Sequence, residues 1–253
     1  MKKLILPIIC LSVCIAASAI SIISFATSRS ERKEQLGKQT VNIQTRAIPI
    51  DTFDEIDTES VHIKLTIGTS PETPTLTGNA SAVNKVSITN DNGKLKVRYN
   101  CGKSTRNSDS FPVLSLSARS IKEIEAALAA KVTVSGNLVS DGKISLSTET
   151  AAEIMVENIK AGTLEIDAET ASKTTVRQAT ATEVKCDAET AASITIAGTC
   201  QYMSLSAETA GKIKAHDMKA GSTKADAETG GSIICPQENI SIHKETGGRV
   251  SAN

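Results

Sequence analysis

Glu149-Thr150-Ala151-Ala152, Glu169-Thr170-Ala171-Ser172, Glu189-Thr190-Ala191-Ala192, Glu208-Thr209-Ala210-Gly211, Glu228-Thr229-Gly230-Gly231 and Glu245-Thr246-Gly247-Gly248 are variants of one phrase. Their glutamates stand 20, 20, 19, 20 and 17 residues apart. A fixed period of this size marks a repeat architecture. Counting from each glutamate, position minus five is Ile144, Leu164, Val184, Met203, Thr223 and Ile240. Position minus three is Leu146, Ile166, Cys186, Leu205, Ala225 and Ile242; position minus one is Thr148, four alanines and then Lys244. Positions plus five and plus seven are again mostly aliphatic, from Ile154 and Val156 to Val250 and Ala252. The even positions between them are polar, among them Ser147, Asp167, Asp187, Ser206 and Asp226. Alternation of period two means strands with one buried face. Two short strands joined by a Glu-Thr corner cannot bury that face alone, but stacked coils can. The reading is all-β: a single-domain parallel β-solenoid (β-helix) of about 20 residues per coil, with neighbouring coils about 4.8 Å apart.

Working outward toward the N-terminus, Leu128-Ala129-Ala130-Lys131-Val132 is a degenerate earlier copy of the phrase. Ile121 to Leu128 has a helix-like composition, but the strand register runs through it, so it is read as β. Val61 to Ile67 and Lys94 to Tyr99 alternate cleanly, the latter after the turn signal Asn90-Asp91-Asn92-Gly93. The solenoid is therefore assigned to residues 48–253, and the polar stretch 27–47 is read as a tether.

Phe53-Asp54-Glu55-Ile56, Val61 to Gly68 and Asp91 to Val97 now form a pattern that resembles the head GIN domain of putative auto-transporter adhesins, of the Bacteroidetes type. In that family a Ser-Gly-Ala-Gly type of motif marks each coil. Glu149-Thr150-Ala151-Ala152 and Glu208-Thr209-Ala210-Gly211 occupy its place, with Glu-Thr standing where the family has Ser-Gly. The resemblance implies an exported β-solenoid with an adhesin-like role, and it brings no catalytic residues.

The leader supports export. Lys2 and Lys3 precede an uncharged run from Leu4 to Ala26, the pattern of a signal peptide. Residues 1–26 are read first as a peptide cleaved after Ala26, second as an uncleaved membrane anchor, and third as a lipoprotein signal in which Leu11-Ser12-Val13-Cys14 places the lipid on Cys14. All three put the body outside the cytoplasm, in the periplasm, outer membrane or cell surface, with the membrane touched only through this segment. Beyond it, Cys101, Cys186, Cys200 and Cys235 have no zinc-like spacing. Cys186 and Cys235 fall in inward columns and read as small apolar fillers, whereas Cys101 and Cys200 read as loop residues, either free or paired with each other.

Composition narrows the partners. The 28 basic residues balance 28 acidic ones, unlike a nucleic-acid binder. Aromatic content is 2% with no Trp, so stacking platforms are scarce. The corner column Glu149, Glu169, Glu189, Glu208, Glu228 and Glu245 is the unusual charge feature. Carboxylates about 4.8 Å apart repel by roughly 0.9 kcal/mol even in full water. Counter-charge from Lys173, Lys212, Arg249, Lys185 or Lys224 is expected; bridging calcium is the alternative. The threonines beside them are expected to stack and hydrogen-bond in line. His62, His216 and His243 are dispersed on strands and read as surface residues. No nucleophile elbow, phosphate loop or metalloprotease motif is present. The reading is a non-enzymatic envelope or surface protein without a cofactor or metal, adhesin-like or structural, with an extracellular protein or glycan ligand. The competing reading is a polysaccharide-active solenoid enzyme using Asp167, Asp187, Asp226, Lys185 and Lys224. Self-association through an open end is a further expectation, with Lys244 in an inward column blunting it.

Overall fold

The computed structural model describes residues 43–68, 72–100 and 111–252. The leader, Cys14 and Cys101 lie outside them. No helix among the described residues is long and apolar enough to cross a membrane.

The body is a parallel stack of five long strand elements: β9 (Lys131–Thr148), β10 (Glu153–Ala168), β11 (Lys173–Ala188), β12 (Ser193–Ala207) and β13 (Lys212–Ala227). Each pairs in parallel with the next. Two short coils follow: β14 (Ser232–Cys235) with β15 (Ile240–Lys244), then β16 (Arg249–Ala252) on β14. The predicted columns are in register: Leu146, Ile166, Cys186, Leu205 and Ala225 stand opposite one another in successive coils. All five are buried. The buried columns are mostly Ala, Val, Ile and Leu, with Cys186, Met203 and Met218 among them, and they close a narrow core without large rings. Two coils add a polar contact inside it. The Thr148 and Thr174 hydroxyls lie 3.1 Å apart, and the Ser172 hydroxyl donates to the Thr148 carbonyl at 3.0 Å.

The two-strand coil of the sequence reading needs correction. Each long element holds three inward-facing segments, because the chain bends at residues 157 and 162 of β10 and their counterparts. The added column is Leu138, Ile159, Ala179, Gly198 and Met218. Its members vary too widely in size to read as a hydrophobic column. Cys200 lies in this third segment, on β12, and not in a loop.

The corners explain the phrase. Thr150 and Ala151 have φ of 47° and 61°, and the Ala152 N–H donates to the Glu149 carbonyl at 3.1 Å. Positive φ at both central residues defines a type I′ turn. The same holds at Thr170–Ala171, Thr190–Ala191 and Thr209–Ala210. A β-branched residue there is a genuine outlier and costs about 1–2 kcal/mol. Inter-coil hydrogen bonds offset the cost: Ala151 N–H donates to the Thr170 carbonyl, and Ala171 N–H to the Thr190 carbonyl, each at 3.0 Å. The threonine hydroxyls do not bond in line as expected, so the backbone couples the coils.

The N-terminal end departs from a simple parallel helix. β2 (Glu55–Glu59) and β3 (His62–Ile67) form one coil, and β6 (Lys94–Tyr99) and β7 (Val113–Ala118) another. The earlier coil is sandwiched: β2 pairs with β6 and with β8 (Glu123–Ala127), and β3 with β7 and β9. The chain therefore leaves the stack after β3, builds the coil below it, and crosses back. β1 (Ile43–Ala47), β4 (Thr75–Asn79) and β5 (Val86–Asp91) add antiparallel edges, with α1 (Ala80–Val83) beside them. β1 lies within the stretch assigned to the tether, which it shortens. Its residues are almost all exposed, so no alternation betrays it. The segment 121–128 holds strand β8 and no helix, in line with the β reading, with Leu128 already in the turn that follows.

Candidate functional site

The outward face of the segment that runs into each Glu-Thr corner carries three polar columns. The first is Thr163, Glu183, Tyr202 and Ser222; the second is Glu165, Lys185, Ser204 and Lys224; the third is Asp167, Asp187, Ser206 and Asp226. β15 extends the second and third with Ser241 and His243, and Asn239 stands just before it.

Short serines beside longer side chains make a hollow of about 570 Å³ on this face. Ser204, Ser222 and Ser241 lie in it; Glu183, Tyr202, Lys224 and Asn239 border it. Asn239 is fixed there because its side-chain amide donates to the Gly221 carbonyl at 3.0 Å. The buried Thr223 hydroxyl, also in the lining, has no hydrogen-bond partner. Tyr202 is 59% exposed. It is the one exposed aromatic ring among the described residues: Phe111 is buried against Tyr99 and His62, and Phe53 packs on the core. Sequence reasoning passed over Tyr202 because nothing local distinguishes an outward aromatic until the columns around it are known.

Beside the hollow runs the aspartate column. Burial pushes the Asp187 carboxyl up to about 6, and Glu189, Glu208, Asp167 and Glu169 push the same way. Its Oδ1 is buried without a hydrogen-bond partner. Burial, then Glu165, also raises Asp167. A raised carboxyl holds its proton more tightly folded than unfolded, so stability falls as pH rises from the ordinary 3.8 to about 6. Asp187→Asn is expected to raise the unfolding midpoint at pH 7 and to leave it nearly unchanged at pH 4. Thermal melts of both proteins at the two pH values check this; parallel pH profiles would contradict it.

The structure sets the corner glutamates in one column on successive coils, with Glu169 N–H donating to the Thr148 carbonyl and Glu189 N–H to the Ala168 carbonyl, each at 2.8 Å. The expected counter-charges go elsewhere. Lys173 pairs with Glu153 at 3.6 Å, Lys185 with Glu183 at 3.5 Å, and Lys224 with Asp226 at 2.7 Å. Ion pairs between coils form instead on the outward faces, as in Lys131–Glu153 at 2.9 Å and Lys143–Glu165. The corner carboxylates are exposed or half-buried, and among the described residues only Glu245 has a side-chain partner, Nε2 of His243 at 3.0 Å.

Cys186, Cys200 and Cys235 are unpaired. Burial raises all three thiols, Cys200 to about 11, so none carries the thiolate that a reactive cysteine needs. Asp167 and Asp187 are neighbours in their column, whereas Ser206 separates Asp187 from Asp226. Lys185 and Lys224 are each held by a carboxylate of their own coil.

Three comparisons place the chain. A putative lipid binding protein from Parabacteroides distasonis has a crystal structure with a TM-score of 0.71, 16% identical over 85% of this chain and 98% of that one. A putative adhesin from the same organism gives a TM-score of 0.67 at 14% identity, covering 85% and 95%. A putative adhesin from Bacteroides fragilis gives 0.62 at 16% identity, covering 84% and 97%. At these identities the likeness shows the fold. No curated protein matches the chain. The sequence profile described as "putative auto-transporter adhesin, head GIN domain" matches residues 52–252, nearly all of the described structure, and the chain belongs to that family.

Proposed function

We propose that this protein is an exported, non-enzymatic adhesin-like solenoid of the cell envelope or surface, and that it binds an extracellular glycan in the hollow beside Tyr202. The family supports the adhesin-like role, and the lysine-led apolar leader supports export. The observation that carries the ligand class is the exposed Tyr202 ring on the border of a hollow that also presents Glu183, Lys224, Asn239 and three serines. A sugar offers an apolar C–H face and a rim of hydroxyls. The ring takes the first, and Glu183, Lys224, Asn239 and the serines offer donors and acceptors for the second. The rigid stack holds these groups in place before the ligand arrives, which lowers the ordering cost of binding.

The test is an array of glycans and matrix proteins probed with the full chain, with and without calcium. Retained glycans that Tyr202→Ala releases, calcium present or absent, are the expected result. Hits confined to proteins, or hits that survive Tyr202→Ala, would contradict it.

A further inference from the structure

The third outward column changes character at its end. It reads Ser147, Asp167, Asp187, Ser206, Asp226 and then His243, which faces Asp226 in register. The change puts an imidazole beside the glutamate corner, which happens at no other coil. Nε2 of His243 lies 3.0 Å from Oε1 of Glu245. Glu228, one coil back, completes the group: one donor atom from each of Glu228, His243 and Glu245 lies within 4.8 Å of the others. No other trio of His, Cys, Asp or Glu among the described residues converges this closely. The other corners offer carboxylates alone. This one mixes nitrogen and oxygen donors, and no lysine or arginine among the described residues pairs with either glutamate.

We infer that Glu228, His243 and Glu245 bind a divalent transition-metal cation of the zinc class, which staples the terminal coil to the one before it. The donor set decides the class. Imidazole nitrogen with carboxylate oxygen suits zinc, whereas calcium takes six to eight oxygens. Tetrahedral zinc, with bonds of about 2.0–2.2 Å, needs donor atoms about 3.4 Å apart. His243 and Glu245 are already inside that distance, and Glu228 closes on them by rotating an unpaired side chain. The metal takes the Nε2 lone pair of the neutral imidazole with its proton on Nδ1, and a proton carried on Nε2 beforehand is released to water. Three protein ligands leave the fourth position to water.

The structural consequence is specific. β15 pairs on one side, with β13, and four of its five residues are exposed. Like β16, which pairs with β14 alone, it is held on one side only. A cation joining Glu228 to His243 and Glu245 ties the end of β15 and the start of the last corner to the preceding corner. Anything that binds the folded state alone stabilises it.

The experiment is calorimetric titration of the full chain with zinc chloride in metal-free buffer, with thermal melts alongside. Wild type should show a saturable site that raises the unfolding midpoint, while calcium chloride does neither. His243→Ala should lose at least about tenfold in zinc affinity, since losing even an outer partner of a ligand costs 10–100-fold. Glu245→Gln should weaken the site while leaving the fold of an exposed position intact. His216→Ala is the control: that histidine is exposed, with one carboxylate near it, Asp217 at 3.3 Å, and its loss should change nothing. Wild type without saturable zinc binding, or His243→Ala binding zinc as wild type does, would overturn the inference.

Discussion

Leu205→Asp is expected to abolish cooperative folding, while Ser206→Asp, one residue on, leaves a folded protein. Leu205 is fully buried between Cys186 of the coil before and Ala225 of the coil after. The core there is narrow and filled with aliphatic side chains, so an aspartate would find neither water nor a cation. An unpaired charge or its neutralised form costs several kcal/mol, on top of about 2–5 kcal/mol for the lost side chain. That reaches the whole stability of an ordinary domain, about 5–15 kcal/mol. Ser206 points the other way, between Asp187 and Asp226. A third carboxylate there adds repulsion of about 1 kcal/mol per neighbour in water. Urea unfolding of the two variants separates the faces; equal midpoints would mean that the inward and outward columns are exchanged.

Gly198→Ala is the second large effect. The spacing of 19 between Glu189 and Glu208 has its physical cause here. Val176 faces Ile196 and Ala179 faces Gly198, so β12 spans with one residue what β11 spans with two. Gly198 takes up the difference with φ of 135°, and a Cβ on it would stand 2.0 Å from the Ala179 carbonyl oxygen and 2.6 Å from its nitrogen. Both obstacles are backbone, fixed by the hydrogen bonds of the stack, so neither can move aside. A loss beyond about 4 kcal/mol is expected, in the range reserved for named steric or electrostatic faults. Gly142→Ala is the control, because the nearest atom to its Cβ is the Ser140 hydroxyl at 3.8 Å. A Gly198→Ala protein as stable as Gly142→Ala would show that the coil is not pinched at this point.

Much of this could be read from the residues. The columns through Ile144 and Leu146 were legible because each holds an aliphatic residue in most coils, and the Glu-Thr corners because the phrase repeats literally. The third inward segment was not, since Ile159, Ala179, Gly198 and Met218 share a position but no size. The interleaved N-terminal coil was hidden for a different reason. Strand alternation tells which face is buried, and says nothing about which strand lies beside which, so β2 between β6 and β8 leaves no trace in the chain. The candidate site divides the same way. The glutamate ladder was visible as a repeat, but its counter-ions were misassigned because ion pairing follows rotamers and coil-to-coil register. Tyr202 and His243 break the repeat singly, and a lone departure acquires meaning only from its neighbours in the next coil.

The central claim is that the ligand sits on the outward face at Tyr202. The chain has two tyrosines and no tryptophan, and Tyr99 packs against Phe111 with ring centroids 5.9 Å apart. In a Tyr99→Phe background the emission of Tyr202 can therefore be read alone. Titrating in the glycan best retained on the array should change that emission along a saturable curve, with the same midpoint as binding measured by calorimetry. Saturable binding of that glycan with the Tyr202 emission unchanged throughout would place the ligand elsewhere and contradict the claim.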